Sequence, residues 1–148
     1  MSKKKKLPTT AFQPAPQKTP KAKPPTSFFD ERPSWRVGLL EMAGPYGWEK
    51  LAPEKALEIR QKLSYFESMT WGEILDRSAK QNHRVRIGRL EKTAQDRLEE
   101  IHQGDVDELT SLRLSGRERI WGIQDYSVLK VLWWDPDHAV CPALLKHT

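Results

Sequence analysis

Residues 109–142 read LTSLRLSGRERIWGIQDYSVLKVLWWDPDHAVCP, and the interleaving of apolar, charged and turn residues there decides the fold. Three runs have the composition of strands: Leu109–Leu114, Glu118–Ile123 and Val128–Trp134. Ser115-Gly116 makes a tight connection between the first two, and Gln124-Asp125-Tyr126-Ser127 turns the second into the third. Asp135-Pro136 ends the third run, since proline has no N–H to give a sheet ladder. The stretch therefore predicts an antiparallel meander.

Side chains alternate across a strand, so spacing predicts which residues share a face. In the second strand Arg117, Arg119, Trp121 and Ile123 fall on one side, with Glu118, Ile120 and Gly122 on the other. In the third, Lys130, Leu132 and Trp134 oppose Leu129, Val131 and Trp133. Arg113 sits one turn away from Arg117. Arg113, Arg117, Arg119 and Lys130 can thus make a compact positive patch, and a planar guanidinium suits phosphate because it bonds two oxygens at once. The competing reading is a set of surface arginines paired with Glu118, Glu108 and Asp107, which would contribute little.

Upstream of the meander the period changes to that of helices. Pro53 fits a first helical turn, with Glu54 beside it to suit the positive helix start. Ala56, Ile59, Leu63 and Phe66 then recur at spacings of three and four. Thr70-Trp71-Gly72-Glu73 fits a capping box and predicts a second helix over 71–79. Thr93 with Asp96 signals a third, carrying Ala94, Leu98 and Ile101 and stopping near Gly104. Between them His83–Leu90 alternates, with Val85 and Ile87 opposite Arg84 and Arg86, as in an edge strand or extended linker. Ser34–Met42 reads as a short strand or extended segment clamped to the core, broken by Gly44-Pro45-Tyr46-Gly47. Helices followed by a meander predict a single α+β domain over residues 34–148, with N-terminal helices packed on a curled antiparallel sheet.

Charge sets the remaining part of the chain apart. Residues 1–27 hold seven lysines and no acidic residue; with the chain at +5, residues 28–148 sum to −2. Residues 1–33 also hold seven of the eleven prolines. Such a composition has too little apolar surface to offset chain entropy, so a disordered basic tail over 1–33 is expected. The high pI therefore belongs to the tail and does not make the folded part a nucleic-acid binder. Lys3–Lys6 fits a polyanion-binding or nuclear-localisation patch, or a solubilising tail. No apolar run is long enough to span a bilayer, and the tail lacks the apolar core of a signal peptide. Cys141 is the one cysteine, so no internal disulfide exists and a cytoplasmic setting is expected.

His138 follows a strand end and a proline turn, with Asp135 and Asp137 nearby. A histidine there can act as a general acid or base near neutral pH, or simply bond its own turn. Zinc is not expected: His138 and Cys141 are three apart without a second ligand pair, and His83, His102 and His147 form no recognisable cluster with them. Nucleophile-elbow, phosphate-loop and dinucleotide motifs are lacking. Cys141 beside Pro142 reads as packing, not activation. No cofactor is expected.

The element order, with RLSGRERIWGI at 113–123 and VLKVLWWDPDH at 128–138, resembles the RelE/YoeB-type toxins of bacterial toxin–antitoxin pairs. The resemblance covers roughly residues 53–142. It implies a small, metal-independent endoribonuclease that cuts mRNA in the ribosomal decoding site, the ribose 2′-hydroxyl attacking the adjacent phosphate. It further implies Arg119 on the phosphate with Arg117 in support, Arg113 and Lys130 binding RNA phosphates, and His138 as the acid. The base stays open between Glu118 and the more distant Glu108. The implied partners are RNA with the ribosome, and a cognate antitoxin protein. An alternative is a non-catalytic protein- or RNA-interaction domain on the same scaffold, with Trp133, Trp134 and the arginines as contacts.

Overall fold

A computed structural model describes residues 25–76 and 78–142. Residues 1–24 of the expected tail, Lys3–Lys6 among them, and His147 lie outside the described residues. The described part is an α+β fold: one five-stranded sheet in the order β1-β5-β4-β3-β2, with three α-helices. The strands are β1 (Ser34–Arg36), β2 (His83–Arg86), β3 (Glu108–Ser115), β4 (Glu118–Asp125) and β5 (Val128–Asp135). The helices are α1 (Pro53–Phe66), α2 (Trp71–Ile74) and α3 (Lys92–Glu100).

The meander forms as its spacing predicts, with β2, β3, β4 and β5 antiparallel in turn. The sheet is nonetheless mixed, because β1 lies parallel to β5, Trp35 opposite Leu129. A three-residue strand offers no sequence signal for its direction. The helices also differ from the expected N-terminal block. Thr70 and Glu73 do close a capping box, the Thr70 hydroxyl accepting from Glu73 N–H at 3.2 Å and the Glu73 carboxylate accepting from Thr70 N–H at 2.9 Å. Yet α2 ends at Ile74 instead of reaching residue 79. α3 comes after β2, and β2 stops at Arg86, giving way to a 3-10 turn over Ile87–Arg89.

Both faces of the sheet are covered, which is why every residue of β4 from Glu118 to Ile123 is buried. On one face Ala94 and Leu98 of α3 pack with Val85, Leu109, Trp121, Ile123, Leu132 and Trp133. On the other, Ile59 and Phe66 of α1 and Trp71 and Ile74 of α2 pack with Leu112, Ile120, Leu129, Val131 and Trp134. Phe28 is 3 % exposed in this second core, so the folded unit reaches back before residue 34.

One bulge resets the alternation. Trp121 pairs with Trp133 but Gly122 with Val131, which leaves Leu132 as an extra residue in β5. Leu132 and Trp133 therefore enter the same core, while Trp134 joins Val131 on the far face. The expected opposition of Leu132 to Trp133 is corrected by this one-residue slip. The strand order leaves no room for a side chain at the bulge: a Cβ on Gly122 would lie 2.7 Å from the Lys130 carbonyl oxygen. The Leu132 carbonyl accepts from Glu41 N–H at 3.0 Å and from the Trp48 indole at 3.3 Å, so the loop after β1 seals the bulge.

Trp121 and Trp133 are both fully buried and tethered, their indoles donating to Asp135 and Glu41 at 3.1 and 2.8 Å. Replacing either with alanine opens a large cavity and removes one of the two donors to a carboxylate oxygen, of Asp135 for Trp121 and of Glu41 for Trp133. Each substitution is expected to cost about 3–5 kcal/mol, measured as the shift in urea midpoint; midpoints unchanged from wild type would place these rings outside the core.

Candidate functional site

A row across the sheet sets the site. Arg113 of β3, Arg119 of β4 and Asp135 of β5 stand opposite one another, and the next row holds Ser111, Trp121 and Trp133. His83 of β2 lies opposite Ser111. All these residues share the face covered by α3. His138 comes to the same place from the loop after β5.

Asp135 builds that loop. Its two oxygens, 1 % exposed as a residue, accept from Ala139 N–H at 2.8 Å, Val140 N–H at 3.0 Å and the Trp121 indole. Val140 and Cys141 are tied in turn to the segment before α3, the Val140 carbonyl accepting from Glu91 N–H at 2.8 Å and the Cys141 thiol donating to the Arg89 carbonyl at 3.3 Å. His138 is held between these ties with φ +58°, a left-handed conformation uncommon for any residue but glycine. Its side chain is 1 % exposed.

Arg119 is equally buried, 1 % exposed. Its Nη1 donates to the carbonyls of Gly116 and Glu118 at 2.7 and 3.1 Å, which folds the guanidinium back over the β3–β4 turn. Gly116 makes that turn possible with φ +51°. Among the described residues no carboxylate forms an ion pair with Arg119. Asp135 stands opposite, but its oxygens are spent on N–H groups.

Five buried polar atoms among the described residues make no well-formed hydrogen bond: His83 Nε2, Ser111 Oγ, Arg119 Nε and both ring nitrogens of His138, whose ring has only loose contacts with its own backbone and that of Cys141. They all belong to this one cluster. Leaving a buried donor or acceptor unmade costs about 1–3 kcal/mol each, so a concentration of them calls for a further partner, ordered water or a bound ion. The electrostatics agree. Burial first, then Arg113, pulls the Arg119 guanidinium down to about 10. Burial, then Arg119, lowers the His138 pKa, partly offset by its own backbone, Asp135 and the Cys141 backbone. Burial, then Arg119 and His138, lowers the His83 pKa, against a contact with the Lys80 backbone that raises it. Both imidazoles are therefore mainly neutral at pH 7.

The structure thus brings Arg119 and His138 together, with half-buried Arg113 beside them. Arg117 is exposed at the rim and reaches the Asp137 carbonyl at 3.4 Å. Lys130 is not part of the cluster: it stands opposite Ile123, toward the other end of β5, with its ammonium 3.7 Å from Asp125. Neither carboxylate considered as a base faces Arg119. Glu118 points to the opposite face, holding the Trp134 indole at 2.7 Å and Lys55 at 3.3 Å, and Glu108 pairs with Arg84 at 2.8 Å.

His83, read from spacing as unrelated to His138, is the group that sequence reasoning missed. Its signal was present, because period two puts His83 on the apolar face of Val85, not with Arg84 and Arg86. Ser111 carried no signal. Among the described residues no three His, Cys, Asp or Glu side chains converge as a metal-binding set. What the arrangement can do is surround an oxyanion with one guanidinium, a hydroxyl and two proton-carrying rings.

The depressed imidazoles fix the sign of one pH effect. Below about pH 6.5 the unfolded histidines bind protons that the folded ones do not, so stability is present above that pH and falls as pH drops toward the lowered folded values. Urea unfolding from about pH 7.5 to about pH 5.5 is expected to show this loss, with a flatter profile in His83→Gln/His138→Gln; equal slopes in both proteins would contradict it. Comparison of the chain with protein-family models, with curated proteins and with solved structures finds no match.

Proposed function

We propose that this protein is a metal-independent endoribonuclease of the toxin type, cutting mRNA on the ribosome by attack of a ribose 2′-hydroxyl on the neighbouring phosphate. The observation that carries the reading is the meeting of Arg119, His138 and His83 in one cluster of unpartnered polar atoms. That reaction needs positive charge on the pentacoordinate phosphate, a base for the 2′-hydroxyl and an acid for the leaving oxygen. Arg119 supplies the charge, with Arg113 behind it and Arg117 at the rim. His83, neutral at rest, takes the 2′-hydroxyl proton, and His138, in the minor fraction of molecules that carries it as imidazolium, gives its proton to the departing 5′-oxygen. A 2′,3′-cyclic phosphate is left on the upstream fragment.

Arg119 and His138 are closed to solvent, so substrate must displace the 136–141 loop or the 115–118 turn before reaction. Pro136, Asp137 and Ala139 form the exposed outer side of that loop. On this proposal the partners are ribosomal RNA and mRNA, with a cognate antitoxin to hold the protein inactive, in the cytoplasm. No helix among the described residues is long and apolar enough to cross a membrane. The same closure favours a second reading, in which the scaffold binds RNA or protein without cutting.

Induced expression separates the two. Wild-type protein is expected to arrest growth and to produce mRNA ends mapped by primer extension, with cyclic phosphate termini. Arg119→Ala, His138→Ala and His83→Ala should each lower cleavage about 10²–10⁴-fold at equal soluble protein. Unimpaired growth and intact mRNA with soluble wild type would leave only the binding reading.

A further inference from the structure

We propose that His83, Ser111, Arg119 and His138 together bind a single tetrahedral oxyanion, and that the ion enters coupled to proton uptake by the two imidazoles. The inference rests on the reading of this cluster as a phosphate-directed site, and it adds the form in which that phosphate is recognised.

Charged and titratable groups face the cluster from four strands. β2 contributes His83 and the 3-10 turn after it Arg89; β3 contributes Ser111 and Arg113; β4 contributes Arg119; β5 and its loop contribute Asp135 and His138. Asp135 is the one acidic group among these, and its carboxylate is already engaged with three N–H donors. A guanidinium buried this deeply without an ion-pairing carboxylate is costly, and an anion beside it removes that cost. The unpartnered atoms suit such a guest. Arg119 Nε and Ser111 Oγ can donate, and each histidine becomes a donor through Nε2 once protonated.

A neutral imidazole has a single N–H to offer an anion and brings no charge. Protonated ones add charge and N–H donors together. An anion and protons therefore stabilise one another in the cluster, each raising the affinity for the other by the same factor. Asp135 cannot take the role of the anion without releasing the His138 loop.

Sulfate is the probe, because it stays dianionic across the range in which histidines titrate, so protons taken up on binding go onto the protein and are drawn from the buffer. Full-length wild-type protein is titrated with sodium sulfate by calorimetry at constant ionic strength, in buffers of differing ionisation enthalpy. Affinity is expected to fall about tenfold per pH unit for each proton taken up, between about pH 6 and about pH 8, with observed heats that depend on the buffer. His83→Gln should remove one proton from the uptake, and Arg119→Lys should weaken binding at least tenfold while keeping the charge. Buffer-independent heats, pH-independent affinity, no binding at millimolar sulfate, or binding unchanged in Arg119→Lys would each overturn the proposal. The wild-type titration decides even if a variant does not fold. Arg119-dependent RNA cleavage without sulfate-linked proton uptake would sink this inference and leave the nuclease standing. Linked uptake without RNA cleavage would do the reverse.

Discussion

The Asp135 carboxylate is the group on which the rest of the site depends. It is buried and acidic, and an isolated charge there would be strongly disfavoured; three N–H donors make it tenable. The same bonds do positional work, fastening the end of β5 to Trp121 and bending the chain so that His138 returns over the sheet. Because the carboxylate is consumed by N–H groups, neighbouring Arg119 keeps its charge without a salt bridge. A single residue thus both places one functional group and declines to neutralise another.

Whether Asp135 can do this is decided upstream, at the bulge. On an unbroken β5, Asp135 would follow Leu129 and Val131 onto the face covered by α1 and α2. The extra residue at Leu132 reverses the alternation, and Asp135 emerges beside Arg119 instead. Gly122 belongs to the same device, since its missing side chain lets β4 approach the Lys130 carbonyl. The bulge also places Trp121 and Trp133 opposite each other in one core, so packing and site geometry are fixed by one irregularity.

Much of the architecture was legible because its signals are local. The meander showed in apolar runs parted by Ser115-Gly116 and Gln124–Ser127 and ended by Pro136, α1 in Pro53 and its apolar stripe, and α2 in the Thr70–Glu73 box. The bulge was not legible, because Val131-Leu132-Trp133-Trp134 is apolar throughout and carries no trace of which residue is supernumerary. The parallel pairing of β1 depends on long-range contact alone. Arg119 and His138 stood out by residue type and position. For His83 only the face was legible, since its partners lie in strands whose register no local rule supplies, and Lys130 was grouped with the arginines only because alternation ignores distance along a strand.

The order of strands in the sheet has a consequence for how the molecule comes to exist. β1, among the earliest described segments, pairs with β5, among the last, and His83 meets His138 only after the intervening hairpins are laid down. Contacts between such distant parts of a chain form slowly, because a large loop must close before they repay it. During synthesis, a chain that has emerged only through β4 carries Arg119 but neither Asp135 nor His138. The cluster is therefore incomplete in the nascent polypeptide and closes only once β5 and the loop after it have joined the sheet.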